Sequence, residues 1–128
     1  VLVTIPVKDK TYSFHRRNRL LSSAEFQPLF NQPDYRVGGQ HLLLLVSENQ
    51  TDSGRIGLVV GKRRVRHAVQ RNNVRRISRE SFRLRQQELA GLDIIILVKA
   101  TIERVNKPAF HAELARLWDK LLAKRRQA

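Results

Sequence analysis

Three stretches of the chain, HLLLLVSEN, RIGLVVGK and LDIIILVKA, are apolar over most of their length and shorter than buried helices usually are. The first two flank NQTDSG, a cluster of turn formers, and their length and Val content predict an antiparallel hairpin. The third predicts a strand over Leu92–Ala100, introduced by Gly91. Strands this apolar on both faces need helices on at least one side. A shorter strand is predicted around Tyr35–Val37, after the turn NQPDYRVGG.

Elsewhere the apolar positions recur at helical spacing. In SSAEFQPLF, Ser22 or Ser23 can cap a short helix with Glu25 near the positive end of its dipole, and Phe26 and Phe30 share a face at i, i+4. A longer helix is predicted over about residues 67–89. On an ideal wheel Val74, Ile77 and Leu84 fall together with Ser81 beside them, as a buried face. Arg71, Asn72, Arg75, Arg76, Arg79 and Arg83 spread over the opposite side. Phe82 falls near that basic side, so it is either packed by a neighbouring element or part of a contact surface. The last helix starts near Pro108, where Phe110, Leu114, Leu117, Trp118 and Leu121 make an apolar stripe read as core. KRRQA reads as a frayed basic tail. Residues 1–20 mix a short apolar run with KDKTYSFHRRNRL, which has no helical period, and predict an extended, partly ordered arm.

The 128 residues suffice for one domain with one core, and neither a repeat nor a dividing linker interrupts it. Charge changes the picture. Lys and Arg total 25 against 11 Asp and Glu, a net charge of +14. Such self-repulsion is relieved by a polyanion, nucleic acid first and an anionic membrane surface second. Arg supplies 18 of the 25 basic residues. Its planar fork matches phosphate and stacks on bases, so the bias favours phosphate or RNA contact; a GC-rich genome is the bland alternative. The charge concentrates after RIGLVV: Lys62, Arg63, Arg64 and Arg66 form a basic loop leading into the basic helix. Arg71, Arg75 and Arg79 stand in an i, i+4 ladder of like charge, which needs a counter-charge to be comfortable. A helix of about 20 residues is roughly 30 Å long, enough to track several phosphates. Asn72 adds a group able to read a sugar hydroxyl or base edge.

Protein-borne catalysis finds no support. No Cys is present, which removes disulfides, thiolate nucleophiles and Cys-based zinc sites. The carboxylates are scattered: Glu48 and Asp52 bracket a turn, Asp93 stands at a strand, and Glu80 lies among arginines. His15, His41, His67 and His111 lack metal-ligand spacing. GLVVGKRR lacks the spacing of a phosphate-binding nucleotide loop, and SRES fits no nucleophile elbow. The expectation is that no residue is catalytic and none binds metal. No apolar run approaches the roughly 20 residues of a membrane span, and VLVTIPV is too short for a signal segment. The chain starts at Val1 rather than Met, which leaves room for residues ahead of it. A cytoplasmic location is expected, with neither a membrane nor an obligate protein partner called for.

RIGLVVGKRRVRHAVQRNNVRRISRESFRLRQQEL resembles the signature block of the bacterial ribonuclease P protein subunit. Lys62, Arg63, Ala68, Arg71, Asn72, Arg75, Arg76, Arg79, Glu80, Phe82 and Arg83 occupy the matching positions. YSFHRRNRLLSSAEFQPLF, LDIIILVKA and the Trp-containing last helix continue the likeness in order, over about residues 14–122. One position departs: where the family repeats Arg, this chain has Asn73, with some expected loss of phosphate contact. The resemblance implies an α+β fold, an α–β sandwich with a mostly antiparallel four-stranded sheet, about three helices and a left-handed βαβ crossover. It implies a single RNA-binding domain over 1–128, with 1–13 outside the match as a possible arm. It further implies that the catalyst is an RNA, with Mg²⁺ held mainly on that RNA, and that the protein assists removal of the 5′ leader from precursor tRNA. Lys62, Arg63, Arg64, Arg66, Arg71, Asn72, Arg75, Arg76, Arg79 and Arg83 would then contact the catalytic RNA. Phe14, Arg17, Arg19, Phe26, Phe30 and Lys99 would line the cleft for the leader, where unpaired bases stack on aromatic rings. For Phe26 and Phe30 a core role competes. A ribosomal or RNA-chaperone protein, a DNA-binding basic helix and a stand-alone metallonuclease are the other classes weighed; the last two lack dimerising heptads and clustered carboxylates.

Overall fold

The computed structural model describes residues 2–6 and 23–128. Within them the chain runs β1 (Leu2–Pro6), α1 (Ser23–Asn31), β2 (Tyr35–Gly38), β3 (Leu42–Glu48), β4 (Ser53–Val59), α2 (Ala68–Leu84), β5 (Leu92–Val98) and α3 (Lys107–Gln127). The strands form one mixed sheet in the order β1-β4-β5-β3-β2. The four strands expected are present as β4-β5-β3-β2. The N-terminal run, read as an extended arm, adds a fifth by pairing antiparallel with β4 from Leu2↔Gly57 to Pro6↔Ser53.

The hairpin expected between HLLLLVSEN and RIGLVVGK does not form. β5 lies between them, antiparallel to β3 (Leu42↔Val98 to Glu48↔Leu92) and parallel to β4 (Arg55↔Asp93 to Val59↔Leu97). β5 is apolar on both faces apart from Asp93, so the centre of the sheet is where it loses most contact with water. The turn formers serve instead as a collar for its entry. Asn49 Nδ2 donates to Ser53 O and to Asp93 Oδ1, both at 2.9 Å. Asn49 N donates to Gly91 O at 2.8 Å and Gly91 N to Ser53 O at 3.1 Å. Gly91 sits at φ 81°, a left-handed conformation that favours glycine.

Alternation along the strands divides two layers. Leu44, Val46, Ile56, Leu58, Ile94 and Ile96 face α2 and α3 and form the main core with Val74, Ile77, Leu114, Leu117 and Leu121. Each such side chain contributes about 1.5–3 kcal/mol on burial. Leu45 and Ile95 face the other way and pack with Leu29 of α1. The stripe expected on α3 is buried throughout, and Asn106 caps that helix by accepting from Ala109 N at 3.1 Å.

For α2 one open alternative is decided and one expectation is corrected. Phe82 is fully buried, its ring edge-on to Trp118 with centroids 6.3 Å apart, because neighbouring elements wrap the end of the helix more widely than an ideal apolar stripe allows. Conversely Leu84 is 61% exposed and the helix stops there, short of residue 89. Arg85 then pairs with Glu88 at 2.8 Å and Asp119 at 2.9 Å, tying the end of α2 to α3. Burial acts against its charge, but the bonds to these carboxylates prevail and raise its pKa. Leu89 fills the core in the place the wheel gave to Leu84. The basic tail is not frayed: α3 runs to Gln127, and Arg125 donates to both oxygens of Glu48 at 3.0 Å and to Ala90 O at 3.0 Å. Among the described residues no helix is long and apolar enough to cross a membrane.

Candidate nucleic-acid interface

The basic loop is held as a shaped element. Gly61 O accepts from Arg64 N at 3.2 Å and from Val65 N at 3.0 Å, which makes a tight turn, and the Val65 side chain plugs into the core. Ile102 N donates to Arg64 O at 2.9 Å from the segment after β5. With one apolar plug and two backbone anchors, Lys62, Arg63, Arg64 and Arg66 all remain exposed. Arg71 closes the arrangement from α2, its Nη1 donating to Val65 O and Arg66 O, both at 2.9 Å. It belongs to the basic face of α2, and part of its guanidinium braces the loop.

α2 is flanked at its start by His67, which supplies no side-chain cap, and its first turn carries no acid. Its free N–H groups therefore keep their partial positive charge for an outside anion. Along the face, Asn and Arg alternate as holder and held. Arg75 Nη1 donates to Asn72 Oδ1 at 3.2 Å, and Arg76 Nη2 to Asn73 Oδ1 at 2.9 Å. Both hydrogen bonds span i, i+3, the spacing that brings side chains together on one helix face. Arg83 pairs with Glu80 at 2.6 Å, and Arg79 is half-buried. Asn73, where a guanidinium was expected, thus acts as an acceptor that aims its neighbour.

The residues expected to line a second surface divide. Phe14, Arg17 and Arg19 lie outside the described residues. Phe26 and Phe30 share a face of α1 with ring centroids 6.1 Å apart and planes 25° from parallel. Phe26 packs against the Leu29–Leu45–Ile95 cluster, whereas Phe30 is 41% exposed. Lys99 is exposed, and its amine lies 3.4 Å from where a Cβ on Gly38 would sit. Val37 and Val98 face the main core, so Gly38 and Lys99 lie on the α1 side of the sheet. That side therefore carries an aromatic pair and an ammonium group, and the opposite layer carries the arginines of α2. The first arrangement can stack unpaired bases beside a phosphate, the second can grip a phosphate backbone.

Sequence reasoning passed over Gln70, whose Oε1 accepts from Val105 N at 2.9 Å and so fastens the β5–α3 segment to α2. No local pattern marks that role, because the partner is 35 residues away. It also passed over Glu113, and noted of His41 only the lack of metal-ligand spacing. Glu113, 5% exposed, accepts from His41 N at 2.8 Å, Leu42 N at 3.0 Å and His41 Nδ1 at 2.9 Å, and anchors α3 to the β2–β3 turn.

With this geometry in place, known proteins supply a context. The ribonuclease P family profile matches residues 14–122. A ribonuclease P protein component from Alcanivorax borkumensis is 50% identical over 116 residues, covering 91% of this chain and 96% of the relative. One from Pseudomonas entomophila is 45% identical over 112 residues, covering 88% and 84%. The solved RNase P protein of Thermotoga maritima superposes with a TM-score of 0.70 at 26% identity, covering 81% of this chain and 97% of that one.

Proposed function

The chain belongs to the bacterial ribonuclease P protein family, and from that premise we propose that its two surfaces serve two RNAs. Membership carries the broader statements. The protein is the protein subunit of a ribonucleoprotein endoribonuclease acting in tRNA 5′ processing, and the RNA of that enzyme is its partner.

The finer reading assigns Lys62, Arg63, Arg64, Arg66, Arg71, Asn72, Arg75, Arg76, Arg79 and Arg83 to the catalytic RNA. The α1 side of the sheet, with Phe26, Phe30 and Lys99, takes the single-stranded leader of precursor tRNA; Phe14, Arg17 and Arg19 are assigned there on resemblance alone. Between the two aromatics, Phe30 is the better stacking platform, since Phe26 is engaged in the core. The observation that supports the division is the sheet itself, which separates α1 from α2 and α3. A subunit built this way contacts catalyst and substrate simultaneously, and raises substrate affinity without supplying a reacting group. Among the described residues no three His, Asp or Glu side chains gather as ligands would. We assign Mg²⁺ to the RNA, and the assembly to the cytoplasm.

The test is reconstitution of the protein with a bacterial ribonuclease P RNA and a leader-bearing precursor tRNA at low Mg²⁺. Stimulated cleavage at the mature 5′ end is expected. Cleavage by the protein alone would overturn the assignment of catalysis to the RNA. Absence of stimulation with the RNA of the same species would return the chain to the ribosomal or chaperone class.

A further inference from the structure

The described arginines sort by whether they face a carboxylate. Arg55 meets Asp93, Arg83 meets Glu80, Arg85 meets Glu88 and Asp119, and Arg125 meets Glu48. Three of these pairs join separate elements and hold the fold. Arg66, Arg104 and Arg116 are exposed and meet no carboxylate among the described residues. They are far apart in sequence, on the basic loop, the β5–α3 segment and α3, yet they line two depressions that share Ile102.

The first is a cavity of about 270 Å³ between the β2–β3 turn and the start of α3, with Arg104 and Arg116 among its lining and Ile102 and Val105 as apolar wall. The second is a cleft of about 240 Å³ lined by Ile102 together with Arg66 and His67. The hydrogen bonds from Ile102 N to Arg64 O and from Val105 N to Gln70 Oε1 fix this wall against the basic loop and α2. Glu113 lines the cavity, but its carboxylate is already engaged by two backbone N–H groups and the His41 ring. Glu103 is the carboxylate that lines the cleft.

We propose that this cavity receives one unpaired nucleotide of the catalytic RNA, with phosphates on Arg104 and Arg116 and the base against Ile102 and Val105. The inference rests on the reading of α2 and its loop as the docking surface for that RNA, and it extends the surface onto the β5–α3 segment. Uncompensated cations beside an apolar slot are the complement of an unpaired nucleotide, whose charge and planar base are presented together. The site adjoins the basic loop and α3, not α1, which favours the catalytic RNA over the leader.

Binding of the full-length protein to the catalytic RNA, measured across a salt series, tests this. The double variant Arg104→Ala/Arg116→Ala should flatten the slope of log affinity against log salt by about 1.5 units. Ala109→Phe, which fills the cavity from an exposed position on α3, should weaken binding about tenfold with the slope unchanged. Arg126→Ala, at the far end of the same helix, serves as the charge control and should change neither. An unchanged slope in the double variant overturns the proposal. So does a double variant that binds the catalytic RNA normally while the assembled enzyme loses affinity for precursor tRNA, because the cavity would then serve the substrate. A flattened slope with a neutral Ala109→Phe would reject insertion of a base. If the wild-type protein itself binds the RNA without salt dependence, the fault lies in the reading of α2 instead. Circular dichroism melts of each variant separate loss of contact from loss of fold.

Discussion

Two serines on α2 make a sharp test of how its buried face is held. Ser81 Oγ accepts from Trp118 Nε1 at 2.8 Å, and the indole is fully buried. Ser78, one turn earlier and fully buried, has a hydroxyl with no hydrogen-bond partner. The same change to Ala should therefore act in opposite directions. Ser81→Ala strands a buried N–H, at a cost of about 1–3 kcal/mol. The better helix propensity of Ala returns about 0.5 kcal/mol, leaving a net loss of about 1–2 kcal/mol. Ser78→Ala removes an unsatisfied hydroxyl and gains the same propensity. Offset by the packing of the lost oxygen, it should be about 1 kcal/mol more stable than wild type. The two variants should differ by about 2–3 kcal/mol, or on the order of 10 °C in Tm for a chain of this size. Urea denaturation followed by far-UV circular dichroism and by the fluorescence of Trp118, the sole tryptophan, measures both. Equal losses in the two variants would refute the reasoning, since serine packing and not hydrogen-bond satisfaction would then govern the face.

The arginine face invites a paired measurement: Arg76→Ala should flatten the salt slope of RNA binding by about 0.7–0.9. Asn73→Ala should leave that slope unchanged and lower affinity a few-fold by freeing the Arg76 guanidinium, while Asn73→Arg should steepen it; a slope that moves with Asn73→Ala would make Asn73 a direct contact. Phe30→Ala should weaken leader-bearing precursor more than leaderless tRNA by about 1–3 kcal/mol of lost stacking, and equal weakening would remove Phe30 from the leader path. Gly54→Ala should destabilise the fold by about 1–3 kcal/mol, because a Cβ there would stand 2.6 Å from Leu89 O and 3.1 Å from Phe82 Cζ; thermal melts within a degree of wild type would contradict that crowding.

What the sequence disclosed and what it withheld follow from the range of the forces involved. The stripe on α3 and the Val74–Ile77–Ser81 face of α2 were legible because helical periodicity is local and each residue reports its own burial. Leu84 was misassigned, and Phe82 was left between core and contact surface, because a wheel assumes one buried stripe, whereas the end of α2 is covered by elements far along the chain. The place of β5 was illegible for a similar reason: NQTDSG signals a reversal, but no local signal says that another strand will enter the gap. The arginine face was visible as charge, yet its hydrogen bonding was not. Asn73 looked like a missing guanidinium and is an acceptor holding Arg76. Arg125 looked like part of a loose tail, since its partner Glu48 lies 77 residues away.

The insertion of β5 between β3 and β4 also sets an order of events during synthesis. A ribosome releases β3 and β4 some thirty residues before β5, with the turn between them already favouring reversal. Until β5 emerges, β3 and β4 lack the strand that separates them in the native sheet. Only when Leu92–Val98 emerges can those two strands be parted or held apart correctly, so the sheet closes late and through contacts of large sequence separation. The cationic stretch from Lys62 to Arg83, whose like charges repel one another, is synthesised within that interval.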